Sequence, residues 1–345
     1  MIGYLKKFDE YVIKEENKIA RQVRFYRNKV EIVNTWRKRE IYITLYKDGK
    51  RLTFSVGNKK GIKKEIEKNE KLLKFIPPSP FHLSVNRNYS NKKIFDKNVI
   101  DEEKMLDVAN QIINTSFECA GNIYSEIENV RIINSKGVDE FDKNSIFYIS
   151  SRMLKDDSSS HYAFCSRKIG LDRKGLEEAE EYIRYKKIFK KIKEGRYNVL
   201  FSPLAFSNLA SNFSDFSSAF LVKAGYSFLD KKLGKKVASE KISIYDSGIE
   251  KDGLFSRKFD DEGVATRKTV IVEKGILKNY LHNSTTSKEY GKKTTGNAGI
   301  VIPNPWNTII RRGDCKKEEM IEEIKEGIFI TNIWYTRFKN YRTGD

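Results

Sequence analysis

The sequence predicts an α+β protein of two domains. Several short runs alternate apolar and polar residues and are joined by hairpin signals. Other stretches repeat their apolar residues at helical spacing. At 345 residues the chain is long enough to bury two cores.

Tyr4 to Arg21 reads as a helix, with Leu5, Phe8, Val12 and Ile19 among its apolar positions. Strand-like runs follow from Gln22 to Ile32 and from Ile41 to Tyr46. In the second, Ile41, Ile43 and Leu45 face one way while Tyr42, Thr44 and Tyr46 face the other. Asp48-Gly49 is a hairpin signal, because both positions tolerate positive φ. Leu52, Phe54 and Val56 then return with period two, so a three-strand meander is expected. Ile62 to Phe75 reads as a charged helix stopped by Pro77-Pro78-Ser79-Pro80, a loop because proline lacks the backbone donor. Asp101-Glu102-Glu103 opens another helix with acids at the positive end of its dipole. Met105, Val108, Ala109, Ile112 and Ile113 are its apolar stripe.

Glu128 to Ile133 and Ser145 to Leu154 read as strands. Between them Asn134-Ser135-Lys136-Gly137 is a turn within a loop longer than a tight hairpin. Asp172 to Lys193 reads as a long charged helix that leads to Gly195. The domain boundary is set there, giving residues 1–195 and 196–345. Asn198 to Phe201 is the next strand, and Ser202-Pro203 starts a helix with serine as N-cap and proline at the first helical position. Leu209, Phe213, Phe216 and Phe220 fall on one face of it, a stripe of the core kind. After Asp246-Ser247-Gly248 come strands at Thr269 to Val272 and Ile276 to Leu281, flanking the turn Glu273-Lys274-Gly275. Lys316 to Lys325 reads as a short helix and Ile328 to Tyr335 as a strand.

Composition bounds the function classes. No apolar run is long enough for a membrane helix, and the N-terminus lacks the apolar core of a signal peptide. Cys119, Cys165 and Cys315 lie far apart, which fits neither a disulfide framework nor a zinc ribbon, so a reduced cytoplasmic setting is expected. Of the net charge of +19, residues 1–100 carry +14. Such a basic third can attract nucleic acid, although no helix-turn-helix, zinc-finger or RNP-type motif accompanies it. A solvated lysine-rich surface is the plainer reading.

Candidate sites are few. Taken alone, Asp260-Asp261-Glu262 reads as a solvated turn entering a hairpin. Gly296 and Gly299 are not followed by Lys-Ser/Thr, so a phosphate loop is excluded and a special backbone angle is the expected role. Asn297 is placed to bond nearby backbone groups. His161 and Cys165 are four apart while His82 and His282 stand alone, and none of this is a zinc signature or a Cys–His nucleophilic site.

The run from Phe259 to Gly299 carries Phe-Asp-Asp-Glu-Gly-Val, Thr266-Arg267-Lys268 and Thr294-Thr295-Gly296-Asn297-Ala298-Gly299 in order. It resembles the fingerprint of the TldD/PmbA family, whose catalytic members are cytosolic zinc metallopeptidases. Leu233 to Ser239, Tyr245-Asp246-Ser247-Gly248, Asn134 to Gly137 and Tyr335 to Asp345 match further landmarks. The resemblance implies two domains, each with a largely antiparallel sheet and packed helices. In catalytic members one helix carries H-E-x-x-x-H, in which two imidazoles hold zinc and the glutamate polarises its water. Counting back from Gly234 puts that motif on Ala210 to Asp215. Ala210 and Asp215 replace the histidines and Ser211 the glutamate. The chain thus looks like the PmbA (TldE) branch, which lacks the motif. Two departures from the family are Gly299, where arginine is usual, and the stop at Asp345, before strands that relatives add. A truncated C-terminal sheet with an exposed edge is expected.

The resemblance implies the non-catalytic subunit of a peptide-degrading or peptide-processing complex, with no cofactor of its own. Zinc is expected in an H-E-x-x-x-H-bearing partner. That partner completes a heterodimer; a homodimer is the alternative. Extended peptides are the expected substrates. Asp260, Asp261, Glu262, Gly263, Gly296 and Asn297 become substrate-channel or structural candidates. Two other readings stand beside it: a nucleic-acid-binding protein using the basic third, and an active metallopeptidase with an unrecognised site. No membrane partner is expected.

Overall fold

The computed structural model describes residues 2–57, 60–184, 192–333 and 337–345. A short helix α1 (Ile2–Leu5) precedes β1 (Glu10–Tyr26). Arg27 and Asn28, both at positive φ, turn the chain into β2 (Lys29–Lys47). Asp48 and Gly49, with φ of 51° and 72°, form the expected hairpin into β3 (Lys50–Val56). Then come α2 (Ile62–Glu70) and α3 (Glu102–Ile113), the latter capped by Asp101, whose carboxylate accepts from the Lys104 amide. β4 (Glu118–Asn134), β5 (Asp139–Lys155) and β6 (Ser158–Ser166) lead to α4 (Arg173–Arg184).

These six strands form one antiparallel sheet in the order β3-β2-β1-β4-β5-β6. Helices cover only one of its faces. α2 packs Ile66 over Ile13, Ile41, Ile43 and Leu45. α3 and α4 pack Met105, Ile112 and Ile183 over Val23, Ile123, Phe147 and Ile149. The opposite face is mainly polar and aromatic, with an apolar patch of Val12, Val130 and Ile132 at one end beneath Phe81, Leu83 and Phe259.

The C-terminal part opens with β7 (Val199–Phe201) and α5 (Pro203–Phe216), where the Ser202 hydroxyl accepts from the Ala205 amide as an N-cap. α6 (Ala219–Lys223), β8 (Ile244–Ser247), β9 (Lys268–Glu273), β10 (Ile276–Leu277), α7 (Ser284–Glu289), β11 (Thr308–Ile310), α8 (Lys317–Ile324) and β12 (Ile328–Ile330) follow. A four-stranded sheet runs β10-β9-β8-β11, and β12 pairs parallel with β7. Phe216, Val222, Leu229, Ile271 and Leu281 form this part's core.

Six expectations need correction. Tyr4 to Arg21 is mostly β1, not helix. Its central place between β2 and β4 buries residues on both faces, and Lys14 and Glu16 are among them, so the alternation is masked by buried charge. The predicted strand Gln22 to Ile32 spans a hairpin turn. The β4–β5 connection is tight, since Ile133 pairs directly with Asp139. The aromatic stripe breaks because α5 ends at Phe216 and Phe220 is 43% exposed. Ile276 to Leu281 shortens to the two residues of β10. The Ile328 to Tyr335 strand ends at Ile330 among the described residues, its Tyr335 lying in 334–336, and the end of the Asp172 to Lys193 helix enters 185–191, both outside the described residues.

The two parts are tied by a buried arginine. Arg167, 1% exposed, follows β6 and donates from Nε to the Ile94 carbonyl at 2.5 Å. Its Nη1 donates to the carbonyls of Gly253 and Leu254 at 2.9 and 2.8 Å, and its Nη2 to Asn144 Oδ1 at 3.2 Å. Burial lowers its pKa to about 10, which leaves it charged at neutral pH. Arg167→Met orphans those carbonyls in a site closed to water. It is expected to lower unfolding free energy by about 3 kcal/mol or more, read as a reduced midpoint in urea with an unchanged slope. A loss below about 1 kcal/mol would mean the 253–256 loop finds other partners.

Candidate functional site

Period two sorts the long strands into two sets of side chains. The helix-free face receives Lys14, Glu16, Lys18 and Ala20 from β1, with Tyr42, Glu40, Lys38 and Trp36 opposite them on β2. β4 adds Glu128, Glu126 and Tyr124, and β5 adds Asp142, Asn144 and Tyr148. The result is a floor that changes character along its length.

At one end the charges are buried. Lys14 is 6% exposed and pairs with Glu16 at 2.9 Å and Asp261 at 2.8 Å. Burial alone would lower its ammonium pKa, but the carboxylates of Asp261 and Glu16 more than offset this and hold it raised. Lys18 reaches Glu128 at 3.0 Å and lies within 3.7 Å of Glu16 and 3.6 Å of Glu126. Burial works against the Glu128 charge, yet Arg257, Lys18 and Lys14 bring its pKa down to about 2. Asn144 donates to Glu128 at 2.9 Å and accepts from Arg167, so the ion cluster and the arginine tie are one network.

At the other end the floor is open and aromatic. Tyr124 stacks on Tyr148 with ring centroids 5.0 Å apart, and Trp36 lies 5.8 Å from Tyr124. Trp36 is 41% exposed. At the β6 margin His161 pairs with Ser150 Oγ at 3.0 Å and with Asn332 Nδ2 at 3.2 Å. The segment containing Asn332 is laced to α5: Ser202 donates to the Thr331 carbonyl and Asn208 to that of Ile333. Helix α5 therefore borders this face.

The turn Phe259–Val264 closes over the buried end, and the predicted solvated turn is corrected: Asp260 is fully buried and Glu262 is 2% exposed. Asp260 Oδ1 accepts from the amides of Glu262 and Val264 at 3.0 and 2.9 Å, and Oδ2 from that of Ala298 at 3.0 Å. Burial, with Glu262 adding to it, pushes its carboxyl well above the usual range. Glu262 is raised too, by burial first, against the charge of Arg51 3.9 Å away; its Oε2 accepts from the Ser284 amide at 2.9 Å. Gly263 has φ of 88°, and a Cβ there would stand 3.1 Å from Asn134 Nδ2. Gly296 has φ of 73°, and a Cβ would meet the Ala265 carbonyl at 2.6 Å. Asn297 is fully buried and donates to Asp246 Oδ2 at 2.6 Å and to the Asn304 carbonyl at 2.9 Å. Of the six candidates only Asp261 turns to the polar face; the other five build the frame that holds it there.

The α5 residues Ala210, Ser211 and Asp215 do not fit a metal. Ala210 offers no donor atom, and the Ser211 hydroxyl is engaged with the Asn208 carbonyl at 3.1 Å. Ser211 and Asp215 are both exposed, and Asp215 brings the one carboxylate of the three. His161 and Cys165 lie on one strand, where four residues span roughly 13 Å, so they cannot share an ion. No group of three or more His, Cys, Asp and Glu side chains is arranged to hold a metal among the described residues. The sequence reading missed the floor itself. Its signal was present as Lys14, Glu16 and Lys18 alternating with period two, matched by Glu126 and Glu128.

Residues 194–345 match the family model described as the PmbA/TldA metallopeptidase C-terminal domain. An uncharacterized protein of Methanocaldococcus jannaschii is 30% identical over 332 residues, covering 88% of this chain and 74% of that protein. A metalloprotease of the same organism is 30% identical over 325 residues, covering 83% of this chain and 69% of its own length. The crystal structure of TldE from Thermococcus kodakarensis shares the fold, with a TM-score of 0.83 at 22% identity over 97% of this chain and 82% of that one.

Two outcomes follow from this geometry. Lys14→Met leaves Glu16 and Asp261 facing each other without their cation, and is expected to cost about 3 kcal/mol or more. Removing Asp261 as well, as Lys14→Met/Asp261→Leu, should cost less than the sum of the single changes in a double-mutant cycle of unfolding free energies. Asp246 gives a pH signature. Burial pushes its carboxyl from 3.8 up to about 6, against the hydrogen bonds from Asn297 and Trp306 that favour its charge. The folded chain then holds this proton more tightly than the unfolded chain. Its contribution is greatest below pH 3.8, falls as pH rises to about 6, and is level above that. The stability of the native chain relative to Asp246→Asn should therefore decline between pH 4 and 6, measured by denaturant unfolding at each pH.

Proposed function

The chain belongs to the PmbA/TldD metallopeptidase family, and on that premise we propose that it is the non-catalytic subunit of a peptide-degrading or peptide-processing enzyme. The observation that carries this reading is the pairing of an altered α5 with a kept polar face. The helix retains its serine cap and its place beside the sheet, while Ala210, Ser211 and Asp215 stand where metal and base chemistry would be needed. The partner is a homologue bearing H-E-x-x-x-H, which supplies zinc.

The face suits an extended peptide. Its charged part offers carboxylates and ammonium groups to peptide amides and side chains, and Trp36, Tyr124 and Tyr148 offer flat apolar surface that is tolerant of sequence. β3 and β6 are the sheet's edges, and strand addition to β6 is one way for a peptide to pair with it. A homodimer is the other assembly compatible with this role.

Hydrolysis of unstructured peptides by the chain alone and mixed with an H-E-x-x-x-H-bearing homologue tests the reading, each with and without a zinc chelator. Activity in the mixture alone, abolished by the chelator, is expected. Chelator-sensitive cleavage by the isolated chain would overturn the non-catalytic role. In the active mixture, Trp36→Ala is expected to raise KM several-fold with little change in kcat, the pattern of lost ground-state binding.

A further inference from the structure

A second concave site lies in the C-terminal part, beside β9 and the Tyr290–Thr295 segment. It has a volume of about 480 Å³, within the range of small-molecule pockets. Five of its lining side chains are cationic: Arg267, Lys268, Lys278, Lys292 and Lys293. No acidic side chain lines it among the described residues. Lys278 is partly neutralised by Glu273 at 3.4 Å, and Lys268 is held over the Tyr245 ring at 3.6 Å.

Arg267 is the informative member. It is half-buried, burial lowers its pKa, and its guanidinium makes no hydrogen bond or ion pair among the described residues. A half-buried guanidinium without an acceptor costs stability, and here its donors face a cavity ringed with like charge. Lys292 and Lys293 are likewise without an ion pair among the described residues and add to the positive field at the mouth. Among the cations, Leu233, Val270 and Tyr290 supply an apolar part of the wall. A single inorganic anion would leave most of this volume and the wall unused.

We propose that this cavity binds a small organic polyphosphate. Arg267 meets phosphoryl oxygens with its planar fork, Lys292 and Lys293 neutralise the remaining charge, and the organic part lies on Leu233, Val270 and Tyr290. The site is independent of the peptidase reading, and neither falls with the other.

Calorimetric titration of the full chain with ADP, pyrophosphate and adenosine at low ionic strength tests it. ADP is expected to bind more tightly than pyrophosphate, and adenosine not to bind. Arg267→Gln should weaken ADP about tenfold or more, the loss of a charge-assisted hydrogen bond. Arg267→Lys, which keeps the charge but not the fork, should fall between. Lys63→Gln/Lys68→Gln, which removes two exposed charges on α2, should leave the affinity unchanged. Thermal unfolding of Arg267→Gln should be no lower than that of the native chain, because no hydrogen bond or ion pair is lost. Absence of ADP binding, or ADP binding unaltered in Arg267→Gln, would overturn the site. Pyrophosphate bound as tightly as ADP would overturn the role of the apolar wall.

Discussion

The joint between the sheet and the C-terminal part rests on charge taken out of water. Lys14, Glu16, Glu128, Asp142, Arg167, Asp260 and Glu262 are each less than 9% exposed. Groups like these are tolerated only when every charge has a counter-charge or a set of hydrogen bonds. The counter-groups come from distant parts of the chain: Asp261 answers Lys14, Arg257 acts on Glu128, and the 253–256 loop carbonyls answer Arg167. An apolar joint of the same area would accept small slips. This one does not, because a shift of one residue along β1 would exchange Lys14 for Ile13 opposite Asp261. Apolar packing of Val12, Ile132, Val138 and Phe259 lies alongside and supplies the burial.

That same demand explains which parts of the fold were legible. Turns read correctly where a glycine announced the backbone angle, whereas Arg27-Asn28, at positive φ without glycine, reads through as strand. Asp48-Gly49 and Lys274-Gly275 both sit at positive φ, and Ser202-Pro203 caps α5. The α3 stripe read correctly because one face is buried and the other wet. β1 failed the other way. Its buried Lys14 and Glu16 and half-buried Lys18 are acceptable only in company with β4 and the 257–263 turn, and nothing local announces that company. β6 went unread because Ser158-Ser159-Ser160-His161 has little strand preference and gains its form from pairing with β5.

The candidate site shows a similar division. Asp260, Asp261 and Glu262 are adjacent in sequence, and a cluster of carboxylates invites a single role. The tight turn closed by the Gly263 amide on the Asp260 carbonyl separates them: Asp260 and Glu262 accept from inward amide donors while Asp261 faces the ion network. Motif comparison picked out the frame, since glycine at positive φ and buried Asn297 permit few substitutes. The floor, made of common Lys, Glu and Tyr residues, has no such signature. Part of the basic surplus of the N-terminal third is likewise neutralised inside the joint, through Lys14, Lys18, Arg51 and Lys93, and so is absent from the surface field.

How α5 can carry Ala210, Ser211 and Asp215 and keep its place follows from where these residues fall. Ser211 and Asp215 are exposed, and Ala210 is at the margin of burial with 9% accessible. The packing of α5 depends on other positions: Ala205 and Phe216 are buried, and Phe213 and Phe216 pack against Phe228. Side chains that must reach an ion or a substrate cannot also be core. Substituting them costs the fold little, whereas the cap at Ser202 and the ring contacts at Phe216 are under packing constraint. Separation of chemistry from packing on a single helix gives the proposed division of labour a physical route. One copy of the fold can surrender metal chemistry while the polar face beside it, fixed by the buried ion network, keeps its shape.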